Sequence, residues 1–134
     1  MSSPPIHSTY SSHTHDIRNQ RCIDACIRCV VAVEHCAAAF LAREEPGFAA
    51  AIAASRDCAD VCALTARLLA RRSGLSDALC RLCVAACEAC ALECEKHIDI
   101  HTPCRASVDS CRECAAQCGR VLDGSGERAN REPT

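Results

Sequence analysis

From position 16 to position 122 the apolar residues return every three or four positions and do not alternate one by one. That is the period of a helix with one buried face, and it predicts helix through the whole stretch. Ala, Leu, Arg and Glu, all strong helix formers, make up much of it. Punctuation then divides it. Pro46 and Gly47 interrupt the first periodic run, and Gly74 is placed to stop the second. Ser76 can cap the third, and Thr102 followed by Pro103 reads as a cap and first-turn pair for the fourth. The expected helices cover 16–44, 47–72, 76–98 and 103–122. Connections this short place neighbours antiparallel, so the predicted fold is all-α, an up-down-up-down four-helix bundle. Residues 1–15, rich in Ser, Pro and His, and residues 123–134, rich in Gly, Ser and charge, are expected to be flexible tails on a bundle spanning 16–122.

What fills the buried stripe is unusual. The chain has 134 residues and 15 cysteines, and its aromatics are limited to Tyr10, Phe40 and Phe48. Small side chains must therefore build the core. On helix one, Cys22, Cys26, Cys29 and Cys36 share one helical series with Val33 and Phe40. Helix two carries Cys58 and Cys62, in register with Phe48, Ala51, Ser55, Thr65 and Leu69. Helix three carries Cys80, Cys83, Cys87, Cys90 and Cys94, a series that continues into His97 and His101. Helix four carries Cys104, Cys111, Cys114 and Cys118, with Ser107 in the series. Each cysteine lies three, four or seven residues from another, the spacings that share one helix face. Cys22 and Cys104 sit nearest helix ends and are the weakest members of the set.

This spacing suits a metal ion. Residues three or four apart on a helix have Cβ atoms about 5–6 Å apart, and two metal–sulfur bonds of about 2.3 Å span about 4.6 Å. One ion can bridge Cys22/Cys26, Cys58/Cys62, Cys83/Cys87, Cys90/Cys94 or Cys114/Cys118 without bending the helix. Structural zinc gathers its four ligands mostly from loop knuckles, whereas low-coordinate, thiolate-preferring Cu(I) fits pairs on a helix. Charge balance agrees, because crowded bare thiolates in a dry core are costly. One monovalent ion per thiolate brings the core near neutrality. Protonated cysteine packs as a small hydrophobe, so the empty bundle is expected to fold and to exchange protons for metal later. The expected cargo is multiple Cu(I) ions per chain.

Other readings are narrower. The residues before Asp16 carry neither the basic nor the apolar segment of a secretory signal, and no uninterrupted apolar run has membrane-spanning length. The expected location is the cytoplasm, where clustered cysteines mean metal more often than disulfides. A formal net charge of −2 offers no polyanion surface, so nucleic acid is not an expected partner, and neither is a membrane. Cys22-x3-Cys26-x2-Cys29 matches the cluster motif of radical S-adenosylmethionine enzymes, but that motif needs a loop in a larger barrel. Neither a Ser/His/Asp constellation nor a phosphate-binding loop is present, so no enzyme activity is expected. The alternative function is an iron–sulfur or redox electron-transfer protein, suggested by the CxxC spacings at Cys26/Cys29, Cys80/Cys83 and Cys87/Cys90.

In an up-down bundle His97, His101 and Cys104 share one end, with His35, Cys36 and Cys94 somewhat below. Neutral imidazole is a labile ligand, and His97 and His101 are expected to form an entry gate that passes Cu(I) to deeper thiolates. His35 lies beside the stripe, and His7, His13 and His15 belong to the expected tail. Cys22, Cys80 and Cys118 should mark the far end. Ile23, Ile27, Val30 and Val31 on helix one and Leu82 and Leu92 on helix three give the bundle a second apolar face, which predicts a homo-oligomer.

The CxxxC pairs and the helix-three run of cysteines followed by histidines resemble the cytosolic copper storage proteins of bacteria, Cys-rich four-helix bundles. The resemblance covers about 16–122. It implies Cu(I) storage and detoxification inside each bundle, a homotetramer, and metal entry at the end bearing His97 and His101. A copper chaperone is the partner such a store would call for. Exported relatives carry a leader and methionines at the mouth, whereas this chain has only Met1. Its two cysteines on helix two imply a capacity below that of richer members.

Overall fold

A computed structural model describes the backbone of residues 6–131 and the side chains of 16–126. It contains α1 (Ile6–Arg43), a short 3-10 turn (Pro46–Phe48), α2 (Ala49–Ala70), α3 (Ser76–Glu95) and α4 (Pro103–Arg131). α1 packs on α2 and α4, and α3 packs on the same two from the other side. The result is the expected up-down-up-down four-helix bundle, with one inward seam from each helix meeting on a common axis.

Chain ends of the helices differ from the sequence expectation in instructive ways. α1 begins at Ile6 rather than at 16, and α4 runs to Arg131 rather than ending near 122. Extending an existing helix adds one hydrogen bond per residue fixed, so polar residues suffice once a packed segment has nucleated it. α4 is also held past 122. Gly124 is buried beneath the Arg18 side chain, and the Ser125 hydroxyl donates to Asp77 at 3.0 Å. An ion pair of Arg72 with Asp16 ties the end of α2 to α1. His7, His13 and His15 lie outside the residues whose side chains are described.

Gly74 does not stop α2. Arg72 takes the left-handed turn instead, at φ 54°. The amides of Ser73 and Arg72 reach back to the carbonyls of Leu68 and Leu69 at 2.9 and 3.1 Å, which satisfies the last free carbonyls of the helix. Ser76 is not a cap either. It is the first residue of α3, and its hydroxyl donates to the Ser73 carbonyl at 2.7 Å. Pro46 opens the 3-10 turn before α2, and Pro103 opens α4 as expected. α3 ends at Glu95, three residues early, yet amide bonds from His97 to Cys94 and from His101 to His97 keep a helical winding through the turn.

Within α1, the stretch Asp16–Arg43 is long and apolar enough to cross a membrane by length and composition, with a mean hydropathy of 1.7 over its most apolar 18 residues. The run is not uninterrupted, since Arg28 and Glu34 fall within it. Cysteine counts as apolar on that scale, and Cys22, Cys26, Cys29 and Cys36 all face the bundle interior with no exposed surface. Arg21, Asp24, Arg28 and Glu34 lie on the outer faces of the same helix, the pattern of a core helix.

Candidate metal centre

All 15 cysteines are free thiols, and each has 0% of its surface exposed. Cys22 and Cys104, the two nearest helix ends, are as buried as the others. Three or four inward residues meet at each level of the axis. The far end holds Cys22, Cys80 and Cys118, with Cys22 and Cys118 sulfurs 3.5 Å apart. Above it come Cys26, Cys62, Cys83 and Cys114, then Cys29, Cys58, Cys87 and Cys111. Cys26–Cys114 and Cys62–Cys83 are 3.6 Å apart, and Cys58–Cys87 are 3.7 Å apart. Nearest the histidines sit Cys36, Cys94 and Cys104.

These separations decide what the column can hold. They are far too long for a disulfide, whose sulfurs lie about 2.05 Å apart. Three sulfurs around one ion at bonds of about 2.3 Å would lie about 4.0 Å from each other. The observed values of 3.5–4.0 Å therefore match a shared, trigonal thiolate site with little movement. An iron–sulfur cube needs its cysteines held apart around the cluster, and here they touch. Three of the five i,i+4 pairs expected from sequence are in contact, at 3.8 Å for Cys58/Cys62 and 4.0 Å for Cys83/Cys87 and Cys90/Cys94. The tightest contacts, however, run between helices. The sequence shows seams, and only packing shows that the seams interlock into layers.

Three polar residues share the seam with no exposed surface: Ser55, Thr65 and Ser107. Thr65 donates to the Val61 carbonyl at 2.7 Å, so it is satisfied within its own helix. Ser55 instead contacts Cys90 at 3.7 Å and Cys94 at 3.9 Å, and Ser107 lies 3.9 Å from Cys94.

Proton affinities follow the layers. Burial, with the neighbouring Cys36, pushes the Cys104 thiol up to about 12. At Cys94 the Cys36 contact pulls downward, but Cys90 and burial outweigh it and the thiol also reaches about 12. At Cys80 the Cys118 contact pulls downward, while Cys22 and burial raise it to about 12. In the crowded centre the direction divides. Cys114 is lowered by hydrogen bonds from Cys118, Cys26, Cys29 and Cys62, and Cys58 by those from Cys111, Cys29, Cys62 and Cys87. Cys26 and Cys87 are raised, chiefly by Cys114 and Cys111 respectively. The inner thiols thus share protons as one coupled group rather than titrating one by one.

The upper end is closed by rings. His101 stacks on Phe40 with centroids 4.0 Å apart and 16° between planes, and His97 meets Phe48 edge-on at 4.9 Å. Arg43 lies over Phe48 at 5.1 Å and donates to the Ile100 carbonyl at 2.8 Å, holding the turn between α3 and α4 down on α1. The sequence placed Phe40 and Phe48 in the seam but gave no sign that they would frame the histidines. His101 is 5% exposed, and its Nε2 has no hydrogen-bond partner. Burial, the largest cause, holds its pKa below the ordinary value against an upward pull from the Cys36 backbone. In a neutral ring protonated at Nδ1, Nε2 offers a bare lone pair, the form a metal-binding histidine needs. A buried orphan donor atom beside a thiol trio fits Cu(I). His97 is half-buried, and His35 is exposed off the seam.

A helical bundle with an axial column of touching thiols and an imidazole-capped end defines a thiolate metal store. Residues 15–123 match the family described as "Copper storage protein", and the chain belongs to it. The cysteine-rich protein YhjQ of Bacillus subtilis (strain 168) is 38% identical over 84 residues, covering 62% of this chain and 78% of that protein. Among solved structures, the copper storage protein Ccsp from Streptomyces lividans loaded with 10 copper equivalents superposes with a TM-score of 0.75 at 37% identity, covering 80% of this chain and 85% of that one. Metal-free copper storage protein 3 from Bacillus subtilis gives a TM-score of 0.70 at 37% identity, covering 77% and 97%. The chain is thus a member of a copper storage family, one of stores rather than enzymes, and the Bacillus subtilis copper storage protein has also been solved with Cu(I) bound.

Proposed function

We propose that the ligands of this store are all fifteen thiols, Cys22, Cys26, Cys29, Cys36, Cys58, Cys62, Cys80, Cys83, Cys87, Cys90, Cys94, Cys104, Cys111, Cys114 and Cys118, with His97 and His101 at the mouth. The observation that carries this is the column of fully buried sulfurs 3.5–4.0 Å apart. The copper-holding unit is 16–122, and the ends at 1–15 and 123–134 carry no thiol. The protein works in the cytoplasm, limits copper toxicity by sequestration rather than catalysis, and is loaded by a copper chaperone. Anomalous diffraction at the copper edge from saturated crystals tests the ligand set. Ions are expected within bonding distance of every one of the fifteen sulfurs, and a thiol without copper at that distance is no ligand.

The histidines govern rate in this scheme. Imidazole binds Cu(I) more weakly than thiolate does, so replacing both His97 and His101 with Ala is expected to slow loading while leaving capacity nearly intact. Stopped-flow absorbance of Cu(I)–thiolate formation reads this directly. Faster or unchanged loading removes the gate, and slow loading only after replacing His7, His13 and His15 moves it to the N-terminal segment.

Assembly follows from the outer faces. Ile27, Val31, Leu82 and Leu92 are 53%, 65%, 52% and 62% exposed. Apolar side chains on two outer faces favour association, and a homotetramer covers them. Light scattering is expected to give about four times the 14.3 kDa chain mass. A monomer at micromolar concentration rejects it.

A further inference from the structure

The thiol column is not continuous. On α1 the cysteine below Cys36 is Cys29, and on α4 the one below Cys104 is Cys111. Each gap is seven residues, about 10.5 Å along the axis. α2 has no cysteine above Cys58, its seam there being Ser55, Ala51 and Phe48. The intervening layer is built from Val33, Ser55 and Ser107, all with no exposed surface. A thiolate-bridged ion spans about 4.6 Å between sulfurs, so it cannot cross such a gap in one exchange. Hydroxyls are hard, neutral donors and poor partners for Cu(I).

One thiol interrupts the gap. Cys90 lies 4.0 Å from Cys94 above and three residues along the same buried seam from Cys87 below. We propose that Cys90 is the single thiol stepping stone, among the described residues, between an outer copper site at Cys36, Cys94 and Cys104 and the inner store beneath. Each transfer is an associative ligand exchange. The Cu–S bond to Cys90 forms before the bond to Cys94 breaks, the thiol proton of Cys90 passes to the released Cys94 thiolate, and copper stays Cu(I). The bundle then holds two pools, an outer one in quick exchange with the mouth and an inner one filled and emptied through Cys90. The proposal rests on the copper-storage reading of the same thiols and adds an order and a bottleneck to it.

The test is Cys90→Ser, which keeps the shape of the side chain and replaces the soft sulfur with a hard hydroxyl oxygen. Cu(I) is presented on a chromogenic chelator, loading is followed by stopped-flow absorbance, and copper-edge maps are taken from crystals after short and long soaks. The variant is expected to fill the outer trio at the wild-type rate and the inner thiols at least about tenfold more slowly. After a short soak its copper density should be confined to Cys36, Cys94 and Cys104. Ser55→Cys provides a second stone, since Ser55 Oγ is 3.9 Å from Cys94 Sγ and Cys58 lies one turn below. It should restore inner filling in the Cys90→Ser background and speed it when made alone, which keeps the test open if Cys90→Ser folds poorly. Inner filling at the wild-type rate in Cys90→Ser overturns the proposal and moves entry elsewhere, as to the groove between α3 and α4 over Cys87 and Cys111. Slow filling that Ser55→Cys does not rescue also overturns it, by making Cys90 a packing residue. Failure of the storage reading looks different: the wild-type chain itself would take four ions or fewer.

Discussion

A Cu(I) titration of the reduced chain against a competing chelator is expected to saturate at about 12 to 20 ions per chain, because bridging thiolates bind roughly one soft monovalent ion each. The 15 buried cysteines set the centre of that range. The copper-poor layer at Val33, Ser55 and Ser107 pulls it down, and His97 and His101 at the mouth pull it up. The loaded protein should show ultraviolet Cu(I)–thiolate absorption and no visible colour, unlike an iron–sulfur protein. Thiols at the crowded centre matter more than those at the ends. Cys58 touches Cys29, Cys62, Cys87 and Cys111 at 3.7–3.9 Å, so an ion on either side of it depends on its sulfur. Replacing Cys58 and Cys114 with Ser is expected to remove about two ions for each thiol lost, since each bridging sulfur serves two. Saturation of the wild-type chain at four ions or fewer would leave a discrete cluster in place of a store.

The seams were legible in the sequence because a helix repeats every 3.6 residues and cysteine marked many of the inward positions. The series from Cys22 to Phe40 and from Cys80 to Cys94 located both the core and the cargo chemistry. The layer pairing was not legible. Whether Cys62 meets Cys83 or Cys87 depends on how far one helix slides along another, and a slide of one residue is only about 1.5 Å. The turn chemistry misled in a physical way. Gly74 is the residue best suited to a left-handed stop, but the α2 seam ends at Leu69, so the chain turned earlier and Arg72 accepted the strained conformation. Polar composition set the end of the last helix near 122, yet α4 continues past it, where Ser125 reaches Asp77 and Gly124 leaves room for Arg18. The ring cluster at the mouth required the 3-10 turn to deliver Phe48 against Phe40 at 4.5 Å, a contact between residues on either side of a loop.

Thermal stability should respond to copper more strongly than helix content does. The metal-free bundle is held by thiols that pack as hydrophobes, so its circular dichroism at neutral pH is expected to be nearly that of the loaded form. Copper bound only by the folded state adds stability by mass action, about 4 kcal/mol for each site saturated a thousandfold above its dissociation constant. Several such sites on a domain of this size imply a rise in Tm of more than about 20 °C. The two forms should also diverge in alkali. Cys80, Cys94 and Cys104 are raised from 9.0 to about 12 in the folded chain. Between those values the unfolded chain gives up protons that the folded chain keeps. Their contribution to stability is therefore whole below pH 9 and is lost as the pH climbs through 12. The metal-free Tm should fall steadily over that window. In the loaded form the thiolates are already deprotonated and held by copper, so its Tm should stay nearly level. Melting curves at pH 7, 9 and 11, with and without copper, measure both effects. A metal-free chain without helix at pH 7, or one whose Tm does not move between pH 9 and 11, would show that protonated thiols are not what holds the empty bundle together.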